Sequence, residues 1–158
     1  MTVPNTAPDT SIPNSALALG LAGVLPFAWG ALTDMNPELH GWAVRNFGAR
    51  FAGQDVLIFY GSVILSFMSG VLWGFAARAE GRTATIGFTL SVIPALWTFF
   101  FVGGGEDRAT WALIIGFLGL LGLDYGFARF GLAPPWWMNI RTLLTSLVVG
   151  CLTLGLIF

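Results

Sequence analysis

Five runs of about twenty apolar residues, free of Arg and Lys except at their ends, dominate this chain. They span about 16–33, 56–77, 85–102, 109–128 and 138–158. A bilayer core about 30 Å thick is crossed by roughly 20 residues of helix. Lipid gives the backbone no hydrogen-bond partner, so each run must close its hydrogen bonds within itself as a helix. The expected fold is all-α: an integral membrane bundle of about five transmembrane helices, forming a single domain over 16–158. Composition agrees, because 9% charged residues is far below the roughly 25% that a soluble domain uses to hydrate its surface.

Charge excludes some functions. The net charge is −1, from seven arginines, no lysine and eight acidic residues. Without a basic patch, nucleic-acid binding has no electrostatic support. Residues 1–15 are rich in Pro, Thr, Asn and Ser and hold no basic residue. They read as a disordered polar tail rather than a signal or transit peptide. Ala- and Gly-rich helices with Arg but no Lys point to a GC-rich bacterial genome, and the uncharged start disfavours a mitochondrial origin. The expected location is the bacterial cytoplasmic (inner) membrane, multi-pass, among membrane lipids. Four arginines on the N-terminal side (78, 82, 129, 141) against three on the other (45, 50, 108) separate the two faces too little to fix orientation.

The loop 34–55 has a helix signature of its own. Asn36-Pro37-Glu38 supplies a cap, a first-turn proline and a first-turn acid. Leu39, Trp42, Ala43, Phe47 and Phe51 follow at helical spacing. A short interfacial amphipathic helix is expected between the first two spans. His40, the single histidine, lies within it; a lone interfacial histidine is ordinarily solvated. Pro26 and Pro94 are expected to kink the first and third spans.

Small residues mark the expected helix-packing faces. Ser62, Ser66, Gly70 and Gly74 recur every four residues on one stripe of the second span. Such stripes let membrane helices approach closely. The alternative is a ligand groove lined by Ser62, Ser66 and Ser69, with Tyr60 and Trp73 nearby. Gly116, Gly119 and Gly122 repeat the packing signal in the fourth span. Trp42, Trp136 and Trp137 fall at predicted interfaces and read as anchors.

Asp124 is the one charge well inside a span. Ionisable groups in membranes face protein interior and find partners. Arg129 is five residues on, and Arg141 lies in the first turns of the last span on the same side. An Asp124–Arg141 intramembrane ion pair holding two helices in register is the expected arrangement. A proton-coupled or substrate-binding carboxylate and a solvated headgroup position are the alternatives. No nucleophile–His–carboxylate set, phosphate loop or Cys/His cluster is present, so no catalytic residue, metal or cofactor is assigned.

The stretch Tyr60–Gly74, YGSVILSFMSGVLWG, resembles the signature segment of the transmembrane protein 69-like family, a membrane family built on a domain of unknown function. Gly23, Pro26-Phe27, SVIPAL at 91–96, Asp124 and PWW…R at 135–141 follow in the same order. The resemblance covers nearly the whole hydrophobic region and implies fold and membrane location, but no activity. Family members often carry His or Arg just before the Trp-Gly pair, where this chain has Leu72. The resulting expectation is a non-enzymatic accessory or scaffold protein, a subunit or assembly partner of a larger respiratory or photosynthetic inner-membrane complex, with other integral membrane subunits as partners. The alternative is a small carrier or binding protein for an apolar ligand such as a quinone, lipid or tetrapyrrole.

Overall fold

In a computed structural model, residues 10–158 are described, and the expected tail falls mostly outside them, at 1–9. Helices α1 (Asn14–Ala22) and α2 (Leu25–Met35) make the first span, and α3 (Pro37–Phe47) follows. A 3₁₀ turn at Ala49–Phe51 leads into α4 (Gly53–Ala76). The third span is α5 (Gly81–Ser91) with α6 (Ile93–Phe101), the fourth α7 (Glu106–Arg129) and the fifth α8 (Trp137–Ile157). All five spans are long and apolar enough to cross a membrane, and no strand occurs among the described residues. Helix begins at Asn14, inside the stretch read as tail.

Both expected kinks are breaks two or three residues before a proline. Proline has no N–H to donate four residues back, and its ring crowds the carbonyl there. The first span breaks at Gly23-Val24 and resumes with Pro26 in its opening turn. The third breaks at Val92 and resumes with Pro94 likewise. Beside this second break the Ala95 N–H donates to Ser69 Oγ of α4 at 2.9 Å. Ser69 thus satisfies a backbone donor rather than lining a ligand groove.

Asn36 caps α3 as its residue type dictates, its side chain accepting from the N–H groups of Glu38 and Leu39 at 3.0 Å each. The helix is shorter than its apolar spacing implies. Gly48, at φ +93°, ends it, and Phe51 lies in the 3₁₀ turn instead. Trp42 and Phe47 pair edge-to-face at 5.4 Å on its exposed side, the placement an interfacial anchor needs.

The bundle is organised around α4, which packs on α2, α5, α6 and α7, while α8 closes against α2 and α7. Leu57, Leu65 and Leu72 of α4 meet Phe27, Leu113, Phe117 and Leu120 in a core that excludes solvent. Phe117 stands edge-on to Phe27 at 6.0 Å. Outside the core the surface is apolar too: Phe99, Leu19 and Phe130 are each more than 70% exposed (79%, 75% and 71%). That surface has no place in water and suits lipid.

The buried stripe of α4 is Gly61, Leu65, Met68, Leu72 and Ala76, not the small-residue stripe read from the sequence. Ser62 and Ser66 are half-buried, and Gly70 and Gly74 are exposed with open space around them. In α7 only Gly116 mediates a close approach, since a Cβ there would lie 2.6 Å from Leu65 and 2.9 Å from Trp97. Gly119 and Gly122 face outward with nothing near. Gly116→Ala is therefore expected to lower stability by about 1–3 kcal/mol through overpacking. Gly70→Ala and Gly74→Ala should leave it unchanged or raise it by up to about 1 kcal/mol through helix propensity. Thermal unfolding of the three variants in one detergent checks this.

Candidate functional site

Asp124 sits about one and a half turns from the end of α7, on the face shared by Leu120 and Phe127, and is 0% exposed. Its partners come from the chain reversal that follows. Gly131, at φ +71°, lets the Leu132 N–H reach the Phe127 carbonyl and its own N–H reach that of Ala128. This paired closure stops α7 with its last carbonyls satisfied. Pro134 and Pro135 turn the chain, and the Trp137 N–H bonds the Pro134 carbonyl at 3.0 Å. Arg78, at the end of α4, ties the reversal down by donating to the Leu132 carbonyl at 2.9 Å.

Trp137 and Arg141 are four residues apart in α8 and so share a face. Arg141 donates through Nε to Asp124 Oδ2 at 2.6 Å, and Trp137 donates through Nε1 to Oδ1 at 2.8 Å. Each carboxylate oxygen thus has its own donor. The guanidinium lies 6.0 Å from the Trp137 ring centroid, and Phe75 of α4 packs edge-on to the same ring at 5.0 Å. Arg129, the other named partner, instead bonds the exposed Tyr125 hydroxyl at 3.2 Å.

Trp137 is thus occupied with the carboxylate, where the sequence reads it as an interface anchor beside Trp136. Trp136 is half-buried against it at 5.9 Å. The centre is a closed staple: both oxygens of the α7 carboxylate accept from side chains of α8. Two polar atoms beside it are unspent. Arg141 Nη2 and Thr145 Oγ1 are buried without a partner among the described residues. Because Arg141 is consumed in the interior, it does not mark a loop, and the arginine count of the two membrane faces becomes three against three.

A second polar cluster lies at the opposite end of the bundle. The Gly53 N–H donates to Thr33 Oγ1 at 2.8 Å, and Gln54 donates through Nε2 to the Gly155 carbonyl. Asp34 and His40 converge on Gly53, where a Cβ would lie within 3.0 Å of Asp34 Oδ1 and 2.9 Å of His40 Cε1. Asp34 Oδ2 and Gln54 Oε1 are buried acceptors that no described donor reaches. The sequence reading missed this cluster. Its signal was slight: an acid in the last turn of the first span and the lone histidine six residues on. Among the described residues no three His, Cys, Asp or Glu side chains group closely enough to hold a metal.

Removing either member of a buried pair leaves an uncompensated charge and costs about 3–5 kcal/mol. Asp124→Ala and Arg141→Ala should each lower stability on that scale, and the double variant should lose less than their sum. Trp137→Phe, which keeps the ring contacts but not the N–H, should cost about 1.5–3 kcal/mol. Denaturant unfolding of the set in micelles, read as a double-mutant cycle, measures all of these; additive losses would exclude the coupling.

Residues 12–157 match the family described as "Protein of unknown function (DUF3429)". Transmembrane protein 69 of Xenopus tropicalis is 33% identical over 150 residues, which cover 92% of this chain and 54% of that protein. The chain therefore spans about half the length of this curated relative. No solved structure matches. Leu72 lies in the apolar core. On the match across nearly its whole length, the chain belongs to the DUF3429 family of transmembrane protein 69-like membrane proteins.

Proposed function

We propose that this chain is a non-enzymatic accessory or scaffold protein that binds another integral membrane protein through the outer face of α4. The observation that carries the reading is the uncovered small-residue stripe. Gly70 and Gly74 offer a partner backbone open space, and no helix among the described residues uses it. Exposed glycine in a helix lowers its intrinsic stability. A second helix packed on such a stripe recovers that loss through close van der Waals contact. Ser62 already spends its hydroxyl on the Ile58 carbonyl at 2.7 Å, so it too presents a small, satisfied surface.

Toward the α3 end, the same face opens into a groove of about 690 Å³ lined by Ser62 and Ser66 and rimmed by Arg50 and Asp55. Arg50 lies over the Phe59 ring at 3.6 Å, which holds one wall in place. A larger respiratory or photosynthetic complex of the bacterial cytoplasmic membrane is the partner class we favour. The apolar outer surface and the closed ion pair suit a permanent neighbour in such an assembly better than a permeation path.

Affinity purification of the full chain from native membranes, followed by native mass spectrometry, tests the proposal. The expected result is one larger membrane complex holding this chain at fixed stoichiometry. Gly70→Leu and Gly74→Leu should weaken that association about ten-fold, the scale of 1–2 kcal/mol of helix contact, without lowering the chain's own unfolding temperature. Recovery of the chain alone in repeated preparations would overturn it.

A further inference from the structure

A crevice of about 260 Å³ runs between α1, α2, α4, α7 and α8 beside the ion pair. Its walls are apolar, with Phe117 and Val148 at its back and the exposed Leu19 and Phe67 at its mouth, toward lipid. Arg141 and Thr145 also line it, 5% and 2% exposed, and each carries a buried polar atom without a partner among the described residues. The Thr145 hydroxyl is the more telling of the two. Thr33, Ser91 and Thr110, the other buried hydroxyls among the described residues, all donate to carbonyls of their own helices. Exposed Thr142 and Thr153 of α8 do the same. A helical threonine in lipid has that bond within reach, and leaving a buried hydroxyl unpaired has a cost. Thr145 forgoes it.

Charge narrows what the crevice takes. Arg141 and Asp124 neutralise each other through the Nε–Oδ2 contact, so the remaining Nη2 donor suits a neutral acceptor. A carboxylate or phosphate would place a net negative charge in low dielectric. The volume is below the roughly 300–1,000 Å³ of pockets that enclose whole ligands, which fits a head held inside and a tail left in lipid.

We propose that this crevice binds a neutral, lipid-soluble molecule whose head carries a carbonyl oxygen, accepting from Arg141 Nη2 and Thr145 Oγ1 while its tail leaves past Leu19 and Phe67. None of Ser62, Ser66, Gly70 and Gly74 lines the crevice, and its binding is read on the purified chain, so the test does not require a partner docked on α4.

The test is titration of the purified full chain with decylbenzoquinone, monoolein and palmitate, with native mass spectrometry counting bound probe. One or both carbonyl probes should bind at one per chain, and which one binds assigns the head as a quinone ring or an acyl ester. Palmitate should bind at least about ten-fold more weakly, since its carboxylate adds an unpaired charge. Thr145→Val should weaken binding about five-fold, the loss of one ordinary hydrogen bond, while leaving the probe-free unfolding temperature unchanged or higher. Leu19→Trp, an exposed change at the mouth, should abolish binding without unfolding the chain. Absence of binding by both carbonyl probes, palmitate binding tightest, or full affinity in Thr145→Val would each overturn the proposal.

Discussion

A backbone in hydrocarbon must satisfy its own donors and acceptors, and this requirement reaches further than the choice of helices. Where Pro94 interrupts the third span, a donor beside the break is taken up by a serine of the neighbouring helix rather than by water. Where α7 ends, Gly131 folds two amides back onto its last carbonyls. Most serine and threonine hydroxyls along the spans turn inward to their own helices for the same reason. Polar atoms that escape this rule are therefore rare and concentrated, at the two ends of the bundle.

Inside and outside are the hard distinction for such a chain. In water, an apolar stripe tells which face is buried; in lipid both faces are apolar, so small residues alone do not separate a packed face from a vacant one. Gly116 and Gly70 look alike in sequence, yet one meets Leu65 and Trp97 and the other meets nothing. The spans themselves were legible because their length and lack of charge answer to bilayer thickness. The link between Asp124 and Arg141 was legible because a lone intramembrane carboxylate requires a partner, and few were in reach. Trp137 was not, since an indole near a predicted interface has an ordinary explanation that hides its N–H. Asp34, His40 and Gln54 were hidden because they lie on three successive helices, α2, α3 and α4, that meet the last helix there.

The two polar ends differ in character. At the Asp124 end, donors match acceptors on the carboxylate and the surplus is donor: a guanidinium N–H and a hydroxyl. At the Asp34 end the surplus is acceptor, a carboxylate oxygen and an amide oxygen. The apolar core of Leu57, Leu65 and Phe117 lies between them, so neither imbalance relieves the other.

The ion pair also bears on how the protein enters the membrane. Alone, α8 would carry Arg141 inside its first turns, and α7 would carry Asp124 with both oxygens bare, each costing about 2.5–3.5 kcal/mol at the centre of an inserting helix and less toward its ends. The reversal between them is short and fixed by Gly131 and two prolines. Leaving the insertion machinery as one hairpin, the two helices carry a neutral, hydrogen-bonded centre instead of two stranded charges. The carboxylate and guanidinium thus act as a clasp that makes α7 and α8 less costly to hold in lipid together than apart.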